Sequence, residues 1–315
     1  MFDHRDDIEQ GWELVKPYSQ DGFLVLIEDQ SLFRIDWSSH VIWEVKDRFH
    51  HDMCVAENGD IYALRNRKVF IPEISGDEAI LDNELLILSP QGRIKKTISL
   101  SGLLAKNAEL LRLVRAVQKK EYSYQPDAWD VMHTNTVDVI ENDITYNDNI
   151  IFKAGQVLLC MRHLNLVSVL DVEAESFVWF YGNNDLEGPH HPSMIEDGTL
   201  LIFDNGTRRG YSRIVEVDPV NRQINKEIKS LGGESFFTAS RGSVQQLPQG
   251  NVLIVESEKG RVLELSLAGD IVWEFLSFPS QTHPGQRELL YRMPRITDPD
   301  ILRILAEKSA ALSSN

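Results

Sequence analysis

Cysteine is nearly absent: the 315 residues contain two, Cys54 and Cys160. Both lie inside apolar, strand-like runs, Asp52-Met-Cys-Val-Ala56 and Val157-Leu-Leu-Cys-Met161, which reads as free, buried thiols. Their separation matches no zinc-binding pattern, and nothing in the sequence argues for a bridge between them. Long apolar runs are missing too. No stretch approaches the ~18 residues of a membrane span. Cations are in deficit: 32 Lys and Arg face 48 Asp and Glu, a net charge of −16. Phosphate backbones and anionic membrane surfaces both call for clustered Lys and Arg, so neither is expected as a partner, and the charge reads as a solubility feature. The opening residues, Met1-Phe-Asp-His-Arg-Asp-Asp7, are too acidic and polar for a secretory signal. The expectation is a cytoplasmic protein, or a targeting segment outside this chain. Oligomeric state is not legible.

What is present is a procession of short apolar runs punctuated by Gly, Asn and Asp. They fall into five groups of four, spanning residues 12–45, 51–98, 131–181, 191–228 and 243–275. About twenty short strands in fours is the layout of propeller blades. Asn58-Gly59-Asp60-Ile61, Asp197-Gly198-Thr199-Leu200 and Gln249-Gly250-Asn251-Val252 are one hairpin turn repeated, with glycine where such turns need positive φ. Val41-Ile-Trp43, Phe177-Val-Trp179 and Ile271-Val-Trp273 are one closing strand repeated, its tryptophan placed for packing. The fold class is therefore all-β, a β-propeller of five or six four-stranded blades. A sixth blade would draw on Leu289–Met293 or the N-terminus. Apolar residues at helical spacing predict a helix over 103–119, inside an insertion spanning 101–126 and closed by Pro126. Asp298-Pro-Asp begins a capped C-terminal helix. The expected organisation is a propeller domain over 1–297 and a helix with a frayed tail over 298–315.

Inner strands of a propeller start at one mouth of the central channel, so equivalent positions converge there. Counting eight residues back from Gly59 gives His51, from Gly198 gives His190, and from Gly250 gives Gly242. The third group lacks such a glycine, but it opens with Met132-His133-Thr-Asn135. Three of nine histidines thus fall at one ring. Their equal spacing to the glycine favours His190 over His191 as the residue facing the channel. A single such histidine is most simply a loop anchor; three in register suggest a site. Three histidines can also hold zinc with an open position, but no clear carboxylate pattern accompanies them beyond Asp52 and Asp138, and no metal is expected.

Taken together, His50-His51-Asp52, Asp130-Val-Met-His133-Thr-Asn135, Met161-Arg162-His163, Pro189-His190-His191, Leu201-Ile-Phe-Asp-Asn-Gly206, Tyr211-Ser-Arg213 and Gln246-Leu-Pro-Gln-Gly-Asn251 resemble the bacterial arylsulfotransferase family, the type that does not use the nucleotide sulfate donor. These pieces run in order from about Trp12 to Phe275. The resemblance implies ping-pong transfer of a sulfuryl group from an aryl sulfate donor to a phenol acceptor, with no cofactor. It puts the transiently sulfated nucleophile on His190, an acid/base or stabilising role on His51, the His-x-Asn pair on His133 and Asn135, and the supporting arginine on Arg162. His191, His163 and Arg213, in the same pieces, are expected to bind substrate. It also implies a periplasmic or extracellular setting. The chemistry asks for such groups: a neutral imidazole is a good nucleophile, and Arg162, Asn135 and cationic histidines would stabilise charge spread over three sulfuryl oxygens. Two other readings stand beside it. One is a non-catalytic propeller that binds a small anion or a protein at its channel mouth. The other is a quinone-cofactor dehydrogenase propeller, for which the tryptophans are present but the calcium-binding carboxylates are not.

Overall fold

A computed structural model describes residues 12–18, 22–117, 128–146, 148–182, 184–195 and 198–313. Five antiparallel four-stranded sheets follow one another along the chain. Blade one comprises Leu14–Tyr18, Gly22–Ile27, Ser31–Asp36 and Val41–Lys46. Blade two comprises Phe49–Val55, Ile61–Val69, Ile80–Leu88 and Ile94–Ser99. Blade three comprises Thr134–Val139, Val157–Met161, Leu166–Asp171 and Ser176–Gly182. Blade four comprises His190–Met194, Leu200–Asp204, Arg213–Asp218 and Gln223–Ile228, and blade five Ser243–Gln246, Val252–Glu256, Arg261–Leu265 and Ile271–Leu276. The blade count is five. Leu289–Met293 forms no strand.

Burial follows position within the blade. Second strands such as Val157–Met161 and Leu200–Asp204 are buried at every residue, because neighbouring blades cover both faces; hence their continuous apolar runs. Fourth strands form the rim and are largely exposed, as in Ile271–Leu276. First strands of successive blades touch one another around the channel.

Apolar clusters fill the junctions between blades one and two, two and three, three and four, and four and five. The repeated tryptophans bridge two of these: Trp43 Nε1 donates to the Pro90 carbonyl (3.0 Å) and Trp179 Nε1 to the Pro219 carbonyl (2.8 Å). The junction between blades five and one differs. Blade five packs its outer apolar face (Leu247, Leu253, Val255, Val262) against Leu290 and Met293. Val25, Phe33 and Ile35 of blade one form a separate cluster. Trp273 is capped by the Arg295 guanidinium, 5.3 Å from its ring centroid. The segment after Leu276 thus packs on the face that would otherwise meet blade one.

Local departures from the expected pattern have physical causes. The insertion is two helices, Leu100–Lys106 and Ala108–Ala116, rather than one. Ser99 Oγ caps the first by accepting from Gly102 N, and Asn107 Oδ1 caps the second by accepting from Glu109 N and Leu110 N. An Asn that satisfies two free helix donors starts a new helix rather than continuing an old one. The expected helix end at 119 and its closure at Pro126 lie outside the described residues, as does the turn Glu196-Asp197. Residues 131–140 are not one strand. Trp129–Asp130 pairs in parallel with Ile80–Leu81 of blade two, and blade three begins at Thr134. The C-terminal helix Pro299–Ser313 is capped by Asp298 Oδ1, which accepts from Asp300 N (2.8 Å) and Ile301 N (3.2 Å). Both cysteines are free.

Candidate functional site

Hairpin pairing gives an internal ruler. Val55 faces Ile61, Val139 faces Val157, Met194 faces Leu200 and Gln246 faces Val252. Four residues back from each first-strand partner are His51, Asn135, His190 and Gly242. His51 and His190 therefore share a register. In blade three that register holds Asn135, and His133 lies two residues earlier. The blade-three turn does carry the repeat glycine, Gly155 (φ +84°). It was hidden because the hairpin Ile144–Tyr146 with Asn149–Phe152 is inserted before it.

The ladders are irregular at these strand starts, between Phe49 and Met53, Thr134 and Thr136, and His190 and Ser193. Beside them, His51, His133 and His191 take left-handed backbone (φ 56°, 49°, 46°). That conformation costs a non-glycine residue roughly 1–2 kcal/mol, and bulges of this kind re-aim side chains next to active sites. The result is a chain of imidazoles. His50 and His51 centroids lie 5.1 Å apart, His51 and His133 4.6 Å, and His133 and His163 4.6 Å in a near-parallel stack. His50, His51 and His133 line a cavity of about 80 Å³ together with Glu28, Asn83 and Asp130.

His190 is 3% exposed. Its Nδ1 faces two acceptors, Asn205 Oδ1 at 2.7 Å and the Gly188 carbonyl at 3.0 Å. Asn205 cannot be turned over, since its amide donates to the Thr238 and Arg241 carbonyls. Nδ1 must carry the proton, which leaves a lone pair on Nε2. Asp204-Asn205-Gly206 is thus more than a sequence marker. Its glycine (φ +68°) leaves no space for a side chain, since a Cβ would sit 2.1 Å from the Tyr211 carbonyl oxygen.

Arg162, at the end of blade three's second strand, is 9% exposed. Its Nε is buried without a hydrogen-bond partner, and its guanidinium meets no carboxylate among the described residues. Its charge acts on His190 and His133. Asn135 donates to the carbonyl of Pro189, beside His190 (3.0 Å), and Oδ1 accepts from Thr136 Oγ1 (3.0 Å). His133 Nδ1 donates to Asp130 Oδ2 (2.6 Å), and His163 Nδ1 to the Asp130 carbonyl (2.8 Å). His191 Nδ1 donates to the Val244 carbonyl (2.9 Å), and its N–H reaches Thr136 Oγ1 (3.2 Å), so it ties blade four to both neighbours. Arg213 is not brought to the cluster by its bonds: its guanidinium is taken up by Asp204, Glu227 and the Asp185 carbonyl.

The histidines are neutral, not cationic as the sequence suggested. Burial pushes His190, His133, His163 and His50 well below the usual imidazole range, and neighbouring guanidinium or imidazole charge deepens the effect. His51 is lowered to about 4 by burial, although Asp130 pulls it up, and His191 to about 3 by burial and Arg292. Positive charge at the site therefore rests on guanidinium groups. Asp130, His133 and His163 do place three potential ligand atoms within 4.8 Å. Two of those rings stack nearly face to face, and the Nδ1 of each already meets an Asp130 oxygen.

Other participants come from the segment after blade five, which the sequence did not assign to the site. Asp52, noted in the sequence only as a carboxylate beside the histidines, is buried between Arg292 Nη1 (2.8 Å) and Lys16 Nζ (3.4 Å). Arg292 Nη2 donates to the Asn135 carbonyl (2.8 Å). The neighbouring Tyr291 ring lies 6.4 Å from that of His51, its hydroxyl buried without a hydrogen-bond partner among the described residues. The post-blade segment thus enters the channel beside the site.

A sequence model of the family described as "Arylsulfotransferase (ASST)" matches residues 26–278. No curated protein matches the chain. Among solved structures, the chain is similar to a protein of unknown function from Bacteroides caccae, at 10% identity over 85% of this chain and 83% of that one (TM-score 0.55). It is also similar to the hydrazine synthase of Kuenenia stuttgartiensis, at 13% identity over 85% of this chain and 67% of that one (TM-score 0.50). Likeness at such identity reports the propeller fold alone.

Proposed function

Since the chain belongs to the arylsulfotransferase family, we propose that it transfers a sulfuryl group from an aryl sulfate ester to a phenol through a sulfated His190. In the first half-reaction His190 Nε2 attacks sulfur. The N–S bond forms, the S–O bond to the aryl group breaks, and the phenolate leaves with the electron pair. In the second, the acceptor oxygen attacks sulfur, the N–S bond breaks, and the phenolic proton passes to a neighbouring imidazole, for which His51 is the candidate. Asn205 and Gly188 hold His190 as the tautomer that can attack. Asn135 and His133 hold the neighbouring strand start and ring stack, with His163 against His133 and His191 tied to blades three and five as candidate substrate-binding groups.

The observation that supports this most is a neutral His190 in the field of Arg162, whose guanidinium has no hydrogen bond or ion pair among the described residues. Asp130 offsets that buried charge only from outside ion-pair distance, and burying a charge without a close partner costs several kcal/mol. An anionic sulfuryl group would relieve that cost, and does so best where charge develops on its oxygens. Presented with a chromogenic aryl sulfate and no acceptor, the enzyme should release one equivalent of phenol in a burst and then stall until a phenol is added. His190→Gln should abolish the burst. Steady turnover by His190→Gln, or no release by wild type with any donor, refutes the assignment.

A further inference from the structure

Blade five contributes no histidine to the ring: its register position holds Gly242. That glycine has φ +111°, and an added Cβ would lie 2.6 Å from the Phe203 ring. The strand start presses onto blade four so closely that no side chain fits there. The preceding residue, Arg241, is joined to the site through Asn205, which bonds both its carbonyl and His190.

Arg241 is held at its backbone and loose at its head group. Its carbonyl accepts from Asn205 Nδ2, and the same Asn205 accepts from His190 Nδ1. Its guanidinium is half-buried, with one long hydrogen bond, Nη1 to Ser240 Oγ at 3.3 Å. That serine is itself fixed by Glu258 Oε1, which accepts from both its N–H and its Oγ at 3.1 Å. No carboxylate lies within ion-pair distance of Arg241 among the described residues. Other inward arginines are matched: Arg65 with Glu84 and Asp47, Arg213 with Asp204 and Glu227, Arg292 with Asp52. Glu13 feels the charge of Arg241 and Asp130 that of Arg162, but neither carboxyl is at ion-pair distance from its guanidinium; in a chain of net charge −16, that leaves room for an anion between the two guanidinium groups. Arg241 also adds its charge to the field at His51 and His133, helping to hold both neutral.

We propose that Arg241 is a second sulfonate-binding residue, which together with Arg162 grips the anionic oxygens of the donor ester and of the sulfated histidine. This rests on the sulfuryl-transfer assignment above. Two guanidinium forks suit a group with three equivalent oxygens. Because Arg241 acts through its head group while its backbone clasps Asn205, Arg241→Ala should leave the His190 tautomer intact.

The test has two arms. In the kinetic arm, Arg241→Ala should raise the donor concentration needed for half-maximal burst about 10- to 100-fold, the loss of one charge-assisted hydrogen bond. The burst rate at saturation and the acceptor's KM should change far less, and Arg241→Lys should recover part of the loss. In the second arm, calorimetry measures binding of an unreactive aryl sulfonate to wild type, Arg162→Ala and Arg241→Ala, each checked for an unchanged thermal midpoint. This arm needs no turnover and therefore separates the two claims. Failure of wild type to form a sulfohistidine sinks the transfer assignment, while weakened sulfonate binding in Arg241→Ala would still support the arginine's role. Unchanged donor dependence, equal sulfonate affinity in Arg241→Ala and wild type, or no sulfonate binding by wild type overturns the proposal.

Discussion

Removing Arg292 should unsettle the channel more than any single histidine does. Its guanidinium side chain is 7% exposed and its partner Asp52 2%. The pair meets at 2.8 Å, and Arg292 also donates to the Asn135 carbonyl. Replacing one member of a buried pair costs roughly 3–5 kcal/mol, because the other charge stays buried and unmatched. Asp52 would keep Lys16 at 3.4 Å and the N–H groups of Met53 and Val137, each at 3.0 Å, so Arg292→Met should fall near the lower limit, about 3 kcal/mol. Burial alone would raise the Asp52 carboxyl; Arg292 and Lys16 hold it below its ordinary value. A depressed carboxylate lends stability above its unfolded pKa and loses it as pH falls. Without Arg292, burial should dominate and push that carboxyl up, so acid unfolding should begin at higher pH in the variant. Urea titrations of wild type, Arg292→Met, Asp52→Asn and the double variant close a cycle, with an expected coupling of about 2 kcal/mol. A loss under ~1 kcal/mol for Arg292→Met, or a double variant equal to the sum of the singles, would refute the reasoning.

Asn205→Ala removes the closer acceptor of the His190 proton, leaving Gly188 at 3.0 Å. It should slow the donor burst about 10- to 100-fold, as loss of a partner that orients a reactive imidazole does, with little change in donor affinity; a burst as fast as wild type counts against the tautomer argument. Protonation of buried, neutral histidines is easier in the unfolded chain, so stability should fall as pH drops below about 6.5 and continue falling towards about 4 for His51 and about 3 for His191. Glu13, raised to about 8 by burial and Glu28, works in the opposite direction. The net expectation is a less stable protein at pH 5 than at pH 7 by urea midpoint, and equal or greater stability at the lower pH would show that the imidazoles are not sealed. Tyr291→Phe deletes a buried hydroxyl without a hydrogen-bond partner among the described residues and should be neutral or stabilising by up to ~1 kcal/mol, whereas a loss above ~1 kcal/mol would reveal a hydrogen bond there.

The propeller was legible because the blades share pieces of local chemistry. A glycine turn with positive φ joins the first two strands in blades two to five, and a tryptophan sits in the fourth strand of blades one, three and five. His51 and His190 could be aligned because the hairpin between strand and turn has constant length in blades two and four. The count failed in blade three, where the inserted hairpin moved Gly155 away from its strand. That is why Asn135, not His133, proved to be the register partner. Neither the charge of the histidines nor the fate of Arg213 could be read. Both depend on burial and on partners such as Asp204 and Glu227 that pairing across a sheet supplies. Arg292 was misplaced for a different reason. Its stretch, Leu289–Met293, reads as a possible sixth-blade strand, but it forms none, and Arg292 meets Asn135 across 157 residues of sequence. The second blade-five feature, Arg241, adjoins a glycine that alignment did place, but only the packing against Phe203 explains why the side chain before it matters.

The most direct measurement of the central claim is the mass of the protein after brief exposure to an aryl sulfate alone, followed by peptide mapping under conditions that preserve an N–S bond. One added sulfuryl group, localised to His190, absent from His190→Gln and discharged by adding a phenol, is the expected result. Wild type that releases phenol yet never gains that mass, or gains it on another residue, would contradict the assignment of His190 as nucleophile.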